Sequence, residues 1–308
     1  MALNDNAQID TSQVEDRRGS GGGGGLGGIS LGGGGGRGGI VGLIIGVIVL
    51  LAGGGYAGTQ LLGGGGGGQS DTGNLDKTCS TANPNRLQQT DCRNALYVNS
   101  IQNFWQTELP QVFGKPYQPA DTVFFARQTS TGCGAADAGM GPFYCPADKK
   151  VFIDLSFYDE LTNRFGAKGE FAQPYVLAHE YGHHVQDLLG TEAAMDRARQ
   201  RDPGNANRYS VMLELQADCY SGVWTAHATQ TRDAGGQPIF KQVTQQDVQD
   251  AITAAGSVGD DAIQKQAGQR VNQETFTHGS SQDREKWFNQ GYRTGDPKQC
   301  DTFGGALR

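Results

Sequence analysis

Histidine is scarce in this chain, 5 residues in 308, as are methionine (4) and tryptophan (3). Basic residues are outnumbered, 25 against 32 acidic, giving a net charge of −7 and a pI near 5.2. That balance argues against a nucleic-acid surface. No G-x-x-x-x-G-K-[ST] sequence occurs, and the glycine tracts lack a strand–loop–helix setting, so no nucleotide-phosphate loop is indicated. None of the six cysteines forms a C-x-x-C pair, which argues against a cysteine zinc site. Uncharged apolar sequence of spanning length occurs once, near the N-terminus, with no convincing A-x-A cleavage site after it.

What is present concentrates around the scarce residue. His179, His183 and His184 fall within one short stretch, and His179-Glu180-Tyr181-Gly182-His183 reads H-E-x-x-H. Two histidines four apart on a helix project from one face, so two neutral imidazoles can hold one Zn²⁺. The carboxylate of Glu180 then meets the metal-activated water as general base. The surrounding segment reads as one helix over Pro174–Leu189, with Gly190 as its cap and Val176, Leu177, Tyr181, Val185, Leu188 and Leu189 on a buried side. Gly182 weakens the helix by about 1 kcal/mol relative to alanine. A glycine there suits close approach of another backbone or of a substrate. His184 points about 100° away from His183 and reads as a non-ligand.

Catalytic zinc takes three protein ligands and keeps one open position. Downstream, Ser210–Thr229 reads as a helix with Glu214 and Asp218 four apart among apolar neighbours. Glu214 is the candidate third ligand. Asp218 is the candidate acceptor for the second N–H of a ligand histidine, fixing its tautomer. Tyr220 and His227, on the same helix, are weaker site candidates.

These segments carry a resemblance. HEYGHH followed by LELQADCYSGVW resembles the bacterial neutral zinc metallopeptidase family, a membrane-anchored, gluzincin-like group. VEDRRG at Val14–Gly19, YCPADKKVFIDLSFY at Tyr144–Tyr158 and THGSSQDREKWFNQGY at Thr277–Tyr292 extend it. The resemblance implies peptidase activity and a Zn²⁺ cofactor, with a peptide or protein as substrate. The E-x-x-A-D core at Glu214–Asp218 is also similar to CAAX-protease and heat-shock membrane peptidases, where a later His-Pro-x-x-x-x-Arg element sits near the metal. Here the corresponding run is His278 to Arg284, with Gly279 in place of proline. It makes His278 the candidate oxyanion donor and Arg284 a candidate to position His278 or a substrate carbonyl.

Val151–Phe157, rich in β-branched and aromatic residues, reads as a strand. It is expected either as an exposed edge that takes substrate as an added strand or as a core strand under the active-site helix. Other expected helices are Gln88–Thr107, Thr191–Arg201, Thr244–Gln266 and Ser281–Gln290. The expected fold is α+β: a zincin-like domain over 77–308, its active-site helix packed on a small, mostly antiparallel sheet.

Before it come a disordered, glycine-rich cytoplasmic tail (1–37), a transmembrane signal anchor (38–62) and a glycine-rich linker (63–76). Arg17, Arg18 and Arg37 precede the apolar run and the first basic residue after it is Lys77, which favours the N-terminus inside and the catalytic domain outside a bacterial inner membrane. All six cysteines follow the anchor, and an even count in an exported domain suggests three disulfides. Of the fifteen pairings, proximity favours Cys79–Cys92 and Cys133–Cys145, leaving Cys219–Cys300.

Overall fold

A computed structural model describes residues 1–19 and 72–307. In chain order the strands are β1 (Ala2–Leu3), β2 (Val14–Asp16), β3 (Thr122–Phe125), β4 (Gln128–Thr131), β5 (Gly134–Asp137), β6 (Phe143–Cys145), β7 (Lys150–Asp154) and β8 (Phe240–Gln242). The helices are α1 (Thr72–Thr78), α2 (Thr90–Phe113), α3 (Phe157–Asn163), α4 (Ala172–Leu189), α5 (Thr191–Arg201), α6 (Ala206–His227), α7 (Gln245–Ser257), α8 (Asp260–Gln266) and α9 (Ser281–Thr294).

The main sheet has the order β2-β3-β7-β6. β2 runs parallel to β3 and β3 parallel to β7; β6 alone is antiparallel, pairing Tyr144 with Val151. The sheet is therefore mixed and more parallel than antiparallel, which corrects the expected antiparallel layout. β7 lies between β3 and β6, so the strand around Val151 is central and the substrate-edge expectation for it fails. The edge on that side is β6.

Side-chain alternation gives the sheet two covered faces. Phe124, Tyr144, Val151 and Ile153 pack in the main core with α4, while Val123, Phe125, Phe143, Cys145 and Phe152 form a second cluster with Ala136 of the β4–β5 hairpin. The hairpin is tied to the end of β6 by Cys133–Cys145. Cys79–Cys92 and Cys219–Cys300 complete the three expected bridges.

The metal-motif helix α4 ends where glycine was expected to cap it, at Gly190 with φ of 77°. The expected helix over Thr244–Gln266 is two helices. It breaks before Gly259, whose α-carbon lies against the backbone of Ser281, where a side chain would collide. α2 runs past the expected Thr107 to Phe113, with Pro110 inside its last turn and Gly114, at φ of 65°, capping it.

The N-terminal residues differ most from expectation. Residues 1–19 were expected within a disordered tail, yet β1 pairs with β8 and β2 forms one edge of the main sheet. The amino group of Met1 lies 2.5 Å from Asp247, and Arg86 donates to the carbonyls of Asp5 and Ala7 at 2.7 and 2.6 Å. Arg18 bridges Asp16 and Asp91. Residues 72–76, expected as linker, open α1. The expected anchor over 38–62 lies outside the described residues, and among the described residues no helix is long and apolar enough to cross a membrane. A single pass over 38–62 would put β2 and β3 on opposite sides of a bilayer. That pass and this strand pairing are thus alternatives.

Candidate metal and catalytic site

Two glycine-mediated crossings assemble the site. α4 and α6 meet at Gly182, where an added Cβ would lie only 3.0 Å from the backbone of Ala217. The close approach foreseen at Gly182 is therefore to another backbone. It lets Glu214 and Asp218, on the turns flanking Ala217, face the two histidines. α6 and α9 meet through Gly222 and Gly291, each pressed against the other helix's backbone, which brings Arg284 under Asp218.

The ligand atoms of His179, His183 and Glu214 all lie within 4.8 Å of one another, and all three residues are buried. His179 Nε2 is 3.2 Å from one Glu214 oxygen and His183 Nε2 is 3.6 Å from the other. The second distance is too long for a hydrogen bond. His183 Nε2 and Glu180 Oε2 are buried without a hydrogen-bond partner among the described residues. Such orphaned atoms cost about 1–3 kcal/mol each unless something else satisfies them. Two imidazoles and a carboxylate are the donor set zinc takes in catalytic sites, so the residues fit that ion.

Each histidine is held by its other nitrogen. His179 Nδ1 donates to Asp218 Oδ1 at 2.9 Å, and His183 Nδ1 donates to Gln186 Oε1 at 2.8 Å. Both bonds leave the Nε2 lone pairs for a metal. Gln186 in turn donates to Leu213 O and Gln216 Oε1, and Gln216 donates to Cys300 O. The orientation of His183 is thereby linked to the Cys219–Cys300 bridge.

Asp218 is fully buried and takes four hydrogen bonds, from His179, from the Tyr175 hydroxyl at 2.6 Å and from Arg284 Nε and Nη2 at 2.8 and 3.0 Å. Burial opposes its charge, but Arg284 and His179 outweigh that and hold its carboxyl well below the usual carboxylate range. Arg284 therefore serves Asp218. It makes no hydrogen bond with His278 among the described residues, which corrects that expectation. It also lines, with Pro142, Phe157, Leu161, Val176 and Glu180, a largely apolar cavity beside His179.

Burial, the largest effect, pushes the carboxyl of Glu180 up to about 7, and the Glu214 charge adds to it. The charges of His179 and Arg284 and the nearby backbone N–H of Tyr144 act the other way. His278 is buried and near enough to Glu214 for its charge to favour the Glu214 carboxylate. Its Nδ1 donates to Asp260 Oδ1 at 3.0 Å, while Asp260 Oδ2 accepts the backbone N–H groups of Thr277, His278 and Gly279. The break before α8 puts Asp260 there.

His184 is no ligand: it bonds Gln118 O and the Tyr144 hydroxyl. His227 donates to Gly295 O and stacks on Phe104, and Tyr220 packs edge-on against Trp105, so neither reaches the cluster. The sequence reading missed Tyr175, Gln186, Gln216 and Asp260. Tyr175 and Gln186 stood at helical spacing, four before His179 and three after His183. Asp260, eighteen residues from His278, had no such signal.

Residues 4–303 match the family described as "Putative neutral zinc metallopeptidase". The chain belongs to the neutral zinc metallopeptidase family. An uncharacterized protein of Mycobacterium tuberculosis is 46% identical over 231 residues, covering 74% of this chain and 75% of its own length. The uncharacterized protein YpfJ of Escherichia coli K12 is 44% identical over 214 residues, covering 69% and 71%. No solved structure matches. The neutral zinc metallopeptidase match begins at residue 4, so the family's span takes in β2 as well as the metal cluster.

Proposed function

We propose that this chain is a zinc-dependent peptidase of zincin type, with His179, His183 and Glu214 as ligands and Glu180 as general base. One observation carries the reading: Glu180, a carboxylate not needed as a ligand, is buried beside the cluster with Oε2 unpartnered. A zinc held only for stability, as in a non-catalytic binding or structural module, has no use for it.

Zinc, when bound, supplies Lewis-acid activation of water and of the scissile carbonyl. Glu180 takes the water's proton and returns it to the leaving amine, and burial has brought its pKa near the range such a base needs. Asp218 and Gln186 keep both imidazoles in the ligating tautomer. Asp260 fixes the ring of His278, whose Nε2, when protonated, is the donor for an oxyanion. A substrate strand pairs with the free edge of β6, whose Tyr144 N–H lies at Glu180. Three disulfides suit an oxidising compartment outside the cytoplasm.

The test is Glu180→Gln. The reading expects a folded variant that binds one zinc per chain and hydrolyses no peptide. Full peptide hydrolysis by that variant refutes it.

A further inference from the structure

We propose that His184 and Asp187, on the turn of α4 that follows the metal ligands, grip the Tyr144 hydroxyl and so set where the edge strand β6 presents itself to a substrate. This rests on β6 being the substrate edge.

Tyr144 is the middle residue of β6, and its side chain is the one that leaves the strand toward α4; Phe143 and Cys145 point to the opposite face. Its hydroxyl lies 2.9 Å from Asp187 Oδ2 and 3.0 Å from His184 Nδ1, two acceptors that share its one proton. His184 Nε2 must carry a proton, because its partner at 2.6 Å is the carbonyl of Gln118, which only accepts. His184 and Tyr144 are each at most 2% exposed, and their rings are 5.3 Å apart. One helix turn earlier, the Tyr181 hydroxyl donates to Ala120 O and lies 3.0 Å from the Thr122 hydroxyl. α4 therefore grips the chain entering β3 and the centre of β6 together.

The backbone N–H of Tyr144 lies near enough to Glu180 to favour its carboxylate, while the Tyr144 side chain is fixed through two residues of the same helix. β6 has three residues and, among the described residues, one strand partner, so the ladder alone fixes it weakly. Nothing in the grip touches a ligand atom of the cluster. Its loss should displace the substrate strand and leave the metal in place, so these are positioning residues.

The test uses the zinc-loaded full chain and Tyr144→Phe, with Asp187→Asn as a second variant that keeps the hydroxyl. Zinc content, kcat and KM on a fluorogenic peptide, and amide exchange of Phe143–Cys145 are measured. The expected result is one zinc per chain, kcat within about twofold, KM raised about fivefold or more, and exchange about tenfold faster at β6. Unchanged KM with unchanged exchange, or loss of zinc in either variant, overturns the proposal. The peptidase reading fails separately, through an active Glu180→Gln, and the exchange measurement still reports on the grip in that event.

Discussion

Gln186 Oε1 accepts the Nδ1–H of His183 from one turn further along the same helix. No carboxylate is needed on this side of the cluster, since the amide is itself anchored to Leu213 O and Gln216. Gln186→Ala should lower zinc affinity about 10- to 100-fold, the usual effect of losing such a partner. Competition with a chelator measures it, and unchanged affinity would show that the ring is held by packing alone.

The Cys219–Cys300 bridge closes a separation of 81 residues, and Cys300 O receives Gln216. A loop of that size corresponds to roughly 4 kcal/mol of stability. A Cys219→Ala, Cys300→Ala double variant should lose stability of that order in urea and also bind zinc more weakly. If stability falls but zinc affinity holds, the chain from Cys300 through Gln216 and Gln186 to His183 transmits nothing.

Arg284 and Asp218 form a buried pair, and removing one partner strands the other. Arg284→Met should cost about 3–5 kcal/mol. Asp218→Asn, which removes the charge that Arg284 faces, should be nearly as damaging. A urea midpoint for Arg284→Met within error of the parent would contradict this account.

Glu192, buried in the first turn of α5, has an oxygen without a partner among the described residues. Burial first, then the charges of Asp187, Asp196 and Glu214, push its carboxyl up to about 8 from an ordinary 4.5. The folded state therefore binds a proton that the unfolded chain releases, and stability should fall as pH rises from 4.5 to 8. The loss is roughly 4–5 kcal/mol. Glu192→Gln should flatten that part of the stability–pH curve, as followed by urea unfolding at pH 5 and pH 8.5. Parallel curves for variant and parent would remove Glu192 as the cause.

The pairing of β2 with β3 predicts that residues 1–19 and residues 72–307 lie on one side of any membrane. A membrane-impermeant thiol reagent applied to intact cells should treat Asp5→Cys and Lys168→Cys alike, both sites being exposed. Labelling of one and not the other would favour the single pass read from the arginine distribution, and would mean that β2 does not pair with β3.

Much of the site was legible because it is helical. The spacing of His179, Glu180 and His183 and that of Glu214 and Asp218 encode shared faces directly. What escaped was set by tertiary contact. Arg284 looked like a partner for His278 six residues away, but the Gly222–Gly291 crossing turns it to Asp218. The helix break at Gly259 arises from packing against Ser281, and no local propensity announces it. β7 read correctly as a strand, yet the sheet around it is completed beyond β3 by β2, a segment that charge and glycine content had assigned elsewhere. Buried parallel pairing has no alternating signature of its own.

The N-terminal strands have a covalent consequence. Cys79–Cys92, Cys133–Cys145 and Cys219–Cys300 all lie beyond residue 72. A protease that cut anywhere between residues 20 and 71 would therefore leave a nicked molecule of two peptides, joined among the described residues by β-ladders, ion pairs, hydrogen bonds and packing and by no disulfide. Such a molecule would migrate as one species on a sizing column and as two on a denaturing gel, and once unfolded its halves would have to find each other again.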